Sequence, residues 1–383
     1  MTRRLVILTE IISPYRIPLF NALAQKPEVD LHVIFLAETD PSLRQWLVYK
    51  EEIKFSHQIL PAWRKRLGGY SVLINRGVGG ALSAASPNAI LCGGYSYLAS
   101  WAALRWARSR HIPFLLWSES NLQDQRRGHW LVEYMKTQFL RRCDGFVVPG
   151  RSAREYLYGH KVRERSILVA PNAVDNDLFA AGGATARQNA AALRGELGLP
   201  RRYFLFVGRL VREKGVFDLL SAYARLSEHL RHEVGLVLLG DGASRQRLEA
   251  QAASVSPGAI RFPGFVHREQ LATYYALAEA LVLPTYSDPW GLVVNEAMAC
   301  ALPVILSRVA GCAADLVREN WNGLLVPPGD VASLASAMES LASQPDLCMT
   351  MGARSVQHIA RYSPEEWSNA IAGALEATVR MRE

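Results

Sequence analysis

Two carboxylates eight positions apart are the first candidates for chemistry in this chain. Asp288 and Glu296 lie in the run Ser287-Asp-Pro-Trp-Gly-Leu-Val-Val-Asn-Glu-Ala-Met-Ala-Cys-Ala-Leu-Pro-Val-Ile305, behind a predicted strand that ends at Pro284. Pro289 and Gly291 read as a turn into a helix of about three turns, with Asp288 in the turn and Glu296 inside the helix. The N–H groups of Gly291, Leu292 and Val293 would be the unpaired donors of the helix start, and such a terminus attracts phosphate. Taken alone, the run also fits a capping Asp, a surface Glu and core residues.

A second set points to the same chemistry. In Phe206-Val-Gly-Arg-Leu-Val-Arg-Glu-Lys-Gly-Val216 a strand ends at Gly208, where the missing side chain lets a ligand approach the backbone. Arg209 and Lys214 flank the start of the next helix. Two cations on a loop above a parallel sheet suit a diphosphate.

Such loops need strands to carry them. Short apolar runs at 5–8, 31–35, 89–92, 114–117, 145–148 and 167–170 read as buried strands separated by amphipathic stretches. The pattern breaks at 171–202, which holds Gly182-Gly183 and an Ala-rich run, and the interdomain connection is expected there. Alternation resumes with strands at 203–207, 235–239, 259–262, 280–283, 303–306 and 323–326. The expected fold is α/β: two Rossmann-like, doubly wound domains facing a cleft, over residues 1–173 and 174–365. A final helix at 366–383 is expected to pack back toward the N-terminal domain.

Composition agrees. Of 383 residues, 50% are apolar and 20% charged, which excludes disorder, collagen and coiled coil. The five cysteines, Cys92, Cys143, Cys300, Cys312 and Cys348, form no CxxC or Cys/His cluster, so a disulfide framework or ordinary zinc site is not expected. The first apolar stretch is too short for a signal peptide. The longest uncharged run, 77–104, is interrupted by Pro87, Asn88 and Gly93-Gly94 and reads as turn–strand–loop–helix rather than a membrane span.

In these residues and their order, the chain resembles a family 4 retaining glycosyltransferase of the GT-B fold. The ordered landmarks are Gly208-Arg-Leu-Val-Arg-Glu-Lys-Gly215, Gly240-Asp-Gly242, Pro263-Gly-Phe-Val266, Asp288-x7-Glu296 and Asn322-Gly-Leu-Leu-Val-Pro-Pro-Gly-Asp330. Pro171-Asn-Ala-Val-Asp175 resembles the family's Pro-Asn-Gly-Val-Asp. The resemblance implies that Arg209 and Lys214 neutralise the donor diphosphate, that Glu296 holds the ribose, and that Asp288 contacts sugar hydroxyls. Gly240 and Gly242 would keep the nucleotide cleft open, Phe265 and Val266 would read the base, and Gly208, Trp290, Gly291, Leu292 and Val293 would complete the donor site. No metal and no cofactor are expected, because Arg and Lys supply the positive charge.

The sequence departs from the family at three places. The first acid is Asp288 rather than Glu, one methylene shorter. Ile11-Ile-Ser-Pro-Tyr-Arg-Ile-Pro18 replaces a Gly-rich loop and places Ser13, Tyr15 and Arg16 on the acceptor side. Where the family often has His, the chain reads Ser118-Glu-Ser-Asn121. Glu119 could replace that His as acceptor ligand or base, or be a capping carboxylate.

Charge is uneven. Residues 1–174 carry 24 Lys/Arg against 13 Asp/Glu, and the remainder 19 against 22. Cations follow Trp63 in Pro61-Ala-Trp-Arg-Lys-Arg-Leu67, and a helix over 129–142 would interleave Trp130, Tyr134 and Phe139 with Lys136, Arg141 and Arg142. Aromatics beside cations suit an anionic membrane surface, unless the aromatics face the core. No nucleic-acid module is visible.

The expected activity is transfer of a hexosyl residue, with retention, from a nucleotide diphosphate sugar to a hydroxyl of a lipid-linked or glycan acceptor. UDP-sugar is the donor the resemblance implies, and cell-surface polysaccharide or glycoconjugate synthesis the setting. The expected location is cytoplasmic, peripheral on the inner face of the membrane. Two alternatives stay open: a nucleotide-sugar 2-epimerase on the same fold, and a non-catalytic membrane-associated subunit.

Overall fold

The computed structural model describes residues 2–40, 47–67, 70–122, 130–256 and 258–380. His129, expected to open a helix, lies outside them, as do the side chains of Arg66 and Leu67. The chain divides into two compact units, Met1–Val174 with Ser363–Glu383, and Asp175–Tyr362.

In the first unit the strands are β1 (Arg3–Thr9), β2 (Val29–Phe35), β3 (Ser56–Ile59), β4 (Ala62–Leu67), β5 (Tyr70–Asn75), β6 (Ala89–Cys92), β7 (Phe114–Trp117), β8 (Gly145–Val148) and β9 (Ile167–Val169). Seven of them form a parallel sheet in the order β3-β2-β1-β6-β7-β8-β9, and β4 and β5 make a separate antiparallel hairpin. Side chains alternate across the sheet. Val6 and Leu8 enter one core, Leu5 and Ile7 the other, and helices cover both faces. The helix Pro364–Arg380 belongs to this unit: Trp367, Ile371, Leu375 and Val379 share a core with Phe20 and Trp117.

The second unit has β10 (Arg202–Val207), β11 (Val234–Leu239), β12 (Ile260–Gly264), β13 (Ala280–Leu283), β14 (Val304–Ser307) and β15 (Gly323–Val326). They form a parallel sheet in the order β12-β11-β10-β13-β14-β15. The order reverses between β10 and β13. In doubly wound sheets ligands bind beyond the carboxyl ends at such a reversal.

All twelve strands expected in the sequence are present within a residue or two. Three expectations need correction. The boundary between the units, Val174 to Asp175, falls inside 171–202 as expected, but most of the stretch is helical: Asp175 accepts from Leu178 N–H at 3.0 Å and caps the helix Asn176–Gln188, and a second helix, Ala190–Glu196, follows. Within the uncharged 77–104 run, Val78–Ala85 is helical rather than a turn. The helix after Gly291 is Leu292–Ala299, little more than two turns. Strands β3 to β5 and the helix Pro345–Ile359 had no counterpart in the expectation.

Candidate active site

In the second unit, the loops after β10, β11 and β13 are bonded to one another at the carboxyl edge. Gly208 N–H donates to Leu239 O at 3.0 Å, and Leu210 N–H to Asp241 O at 2.9 Å. A Cβ at Gly240 would stand 2.0 Å from Gly208 O, and one at Gly242 would stand 2.5 Å from Leu210 O. These two glycines therefore permit backbone to press on backbone; they do not act by leaving a cleft open. On the other side, Glu213 O accepts from Tyr286 N–H at 2.9 Å and from Thr285 Oγ1 at 3.0 Å. Gly215, in the left-handed region at φ +70°, lies where a Cβ would be 2.0 Å from Pro284 O.

This zipping sets the two expected cations apart. Arg209 is exposed and makes no ion pair among the described residues. Lys214, only 15% exposed, donates to Asp288 Oδ2 at 2.5 Å. The Asp288 loop is held from behind, since Gly311 N–H donates to Asp288 O at 2.9 Å and Cys312 N–H to Trp290 O at 3.1 Å.

Glu296 projects from Leu292–Ala299 and its Oε2 accepts from the Tyr275 hydroxyl at 2.6 Å. Burial pushes the Glu296 carboxyl up to about 7, although the tyrosine hydrogen bond pulls the other way. Gly291 takes φ +97° at the helix start, and Leu292 and Val293 are half-buried. Trp290 is a correction. Its indole is buried and donates from Nε1 to Asn295 Oδ1 at 2.9 Å, so that only its backbone remains for a ligand. Phe265 is exposed and stands edge-on to His267, with Val266 half-buried beside it. Among the described residues no group of three His, Cys, Asp or Glu side chains could hold a metal ion.

The first unit has its own polar constellation at its sheet's carboxyl edge. Arg16 Nη1 donates to Thr9 Oγ1 at 3.0 Å and Nη2 to Glu119 Oε1 at 3.3 Å, with the guanidinium 4.3 Å from the Trp117 ring centre. Burial is the largest influence on Arg16 and lowers its pKa, but Glu119, Tyr15 and Glu10 together outweigh it and the net shift is upward. Ser13 is buried, and its carbonyl accepts from Arg16 N–H at 2.9 Å. Tyr15 is half-buried next to Arg16. Nearby in sequence order, Arg64 on β4 pairs with buried Asp40 and reaches Glu10 at 3.5 Å.

Known proteins match this architecture. A model of glycosyl transferases group 1 matches residues 192–358, and one of Glycosyltransferase Family 4 matches 19–178. The chain belongs to this glycosyltransferase family. A D-inositol 3-phosphate glycosyltransferase of Corynebacterium jeikeium is 32% identical over 70% of this chain and 65% of its own length. One from Corynebacterium urealyticum is 35% identical over 55% of this chain and 49% of its own length. The chain thus spans about half to two thirds of these curated relatives. Among solved structures, sucrose-phosphate synthase from Thermosynechococcus elongatus aligns with TM-score 0.75 over 100% of both chains at 22% identity. HepE of Anabaena in complex with UDP aligns with TM-score 0.77 over 98% of this chain and 100% of its own at 18% identity. At these identities the likeness establishes the GT-B fold alone.

In this glycosyltransferase two of the cations expected on the basic face are committed to other side chains. Arg64 is committed to Asp40 and Glu10, and Lys136 is buried against the Tyr156 hydroxyl at 2.9 Å and Glu133 at 2.8 Å. Phe139 is core. What the helix Trp130–Leu140 exposes is mainly apolar: Trp130, Leu131, Val132, Tyr134 and Met135. Sequence reasoning missed Thr9 and Tyr275, the partners of Arg16 and Glu296. Each is an ordinary residue whose role comes from a contact between elements, and no spacing signals it.

Proposed function

We propose that this glycosyltransferase moves a hexosyl residue, with retention, from a nucleotide diphosphate sugar to a hydroxyl of a lipid-linked or glycan acceptor. The observation that carries the reading is the pair of cations on the loop after β10, set beside the Asp288–Gly291 loop at the sheet's topological reversal. Arg209 and Lys214 suit a leaving diphosphate: their charge counts most as negative charge builds on the departing oxygen. Glu296 suits the ribose hydroxyls. The bond from the anomeric carbon to the diphosphate breaks, the bond to the acceptor oxygen forms on the same face, and the diphosphate oxygen takes the acceptor proton. HepE structures with UDP and with UDP-glucose support UDP-sugar as the donor class.

On the acceptor side, Glu119 would take a hydrogen bond from an acceptor hydroxyl. Its Oε1 lies 3.3 Å from Arg16 Nη2, a contact that orients the carboxyl group. The exposed apolar side chains at 130–135 support contact with a lipid surface on the cytoplasmic side, in keeping with a lipid-linked acceptor of cell-surface glycoconjugate synthesis. No described helix is long and apolar enough to cross a membrane.

The test is a panel of nucleotide sugars with free-nucleotide release measured with and without glycan and lipid-linked acceptors. Acceptor-dependent release supports transfer. Conversion of donor with no acceptor present would mark an epimerase, and no turnover with bound nucleotide would mark a non-catalytic subunit.

A further inference from the structure

Asp288 occupies a position where the family resemblance implies a sugar-binding Glu, yet the geometry gives it another partner. Its Oδ2 accepts from Lys214 Nζ at 2.5 Å, with the two side chains 13% and 15% exposed, and its Oδ1 accepts from Trp290 N–H at 3.3 Å. The backbone that carries each group is held in place. The Lys214 loop is bonded to the β13 loop through Glu213 O and is wedged there by Gly215. The Asp288 backbone is bridged to Ala310 and bonded to Gly311, where a Cβ would stand 1.8 Å from Pro289 O. A carboxylate one methylene shorter than Glu is drawn back toward its own backbone, which is where Lys214 meets it.

Resting on the donor reading above, we propose that Asp288 is the counter-ion of Lys214. It occupies the ammonium while the site is empty, competes with the diphosphate for it when the site is filled, and so limits how tightly the nucleoside diphosphate left by transfer is retained. Asp288 is on this account a positioning residue acting through Lys214. A diphosphate near Lys214 brings negative charge up to a partly buried carboxylate whose ion pair it must share. Like charges in such a setting repel more than they would in water. Removing the Asp288 charge leaves the whole ammonium to the phosphate. A residue that only contacts the donor sugar would have no such effect on a nucleotide that carries no sugar.

The experiment compares wild type with Asp288→Asn, which keeps the volume and an acceptor for Trp290 N–H. UDP, UMP and inorganic pyrophosphate are titrated by calorimetry. The expected result is UDP and pyrophosphate binding at least tenfold tighter in the variant, UMP changed less than threefold, and stronger product inhibition by UDP. Asp288→Ser, a second short polar acceptor, gives the same ratio should the Asn variant fold poorly. UDP affinity that is unchanged or weaker in a variant with wild-type melting overturns the proposal. An unchanged UDP affinity with weaker UDP-glucose binding returns Asp288 to the sugar and leaves the donor reading standing. If wild type binds neither nucleotide nor pyrophosphate, the donor reading fails and this inference with it.

Discussion

The Tyr275 hydroxyl lies 2.6 Å from Glu296 Oε2, joining the helix Arg268–Ala276 to the helix that carries the acid. Burial of this pair raises the carboxyl to about 7, so near neutral pH the empty site holds a mixture of carboxylate and carboxylic acid. Ribose hydroxyls donate most strongly to the carboxylate. Nucleotide affinity should therefore rise as pH climbs from about 6 to 8, with protons released on binding. Calorimetry in buffers of different ionisation enthalpy reads this directly, and Glu296→Gln should abolish the proton release while lowering nucleotide affinity about tenfold or more.

The same shift has a stability sign. A carboxyl raised in the folded state binds its proton better there than in the unfolded chain, so its contribution is present at acid pH. It is lost as pH rises from the ordinary carboxylate range through about 7. Melting curves of wild type and Glu296→Gln from pH 5 to 8 should show the variant gaining relative stability toward the alkaline end. A constant difference would mean that the carboxyl titrates normally.

Arg209 is exposed and unpaired by any described carboxylate, so Arg209→Ala should leave melting unchanged while cutting turnover by about 10²–10³, the scale of one lost preorganised charge. Lys214→Ala should lose a similar factor and also lower stability, because it removes the cationic partner of the partly buried Asp288 carboxylate. Steady-state rates at saturating donor and acceptor, alongside melting curves, separate the two.

Gly215→Ala tests the loop junction. The new Cβ would meet the Pro284 carbonyl in a left-handed backbone conformation costing about 1–3 kcal/mol before any clash is relieved. A drop of several degrees in melting temperature is expected. Gly195→Ala, where nothing lies within 4 Å of the added Cβ, is the control and should be neutral or mildly stabilising.

Vesicle binding should follow apolar side chains more than cations. Replacing Val132 and Met135 by Ser should weaken flotation with lipid vesicles, and binding should persist at raised salt, because exposed charges are screened while buried apolar area is not. Arg64→Ser should instead destabilise the first unit by removing an ion-pair partner of the buried Asp40. Recovery that vanishes with salt would assign the contact to the exposed arginines.

The sheets were legible because parallel strands buried on both faces read as short apolar runs, and the turn chemistry at Gly208, Gly215 and Gly291 marks their carboxyl ends. The Gly182-Gly183 break misled for a physical reason. A Cβ at Gly182 would stand 2.8 Å from Ala272 Cβ, and Gly183 faces Ala276 and Cys300, so these glycines form the contact face of a helix. The charged residues at 64 and 136 misled because pairing partners far along the chain cannot be seen in local spacing. Arg64 and Asp40 lie 24 residues apart, and Lys136 and Tyr156 lie 20 apart.

The helix Pro364–Arg380 closes a core that begins with β1, so the second unit sits in the chain as an insertion within the first. During synthesis every residue of Asp175–Tyr362 leaves the ribosome before Trp367 and Ile371 do. When the second unit is complete, the first still lacks the helix that covers Phe20 and Trp117. The N-terminal sheet is made first, but its core is complete only once the chain's last helix has been made.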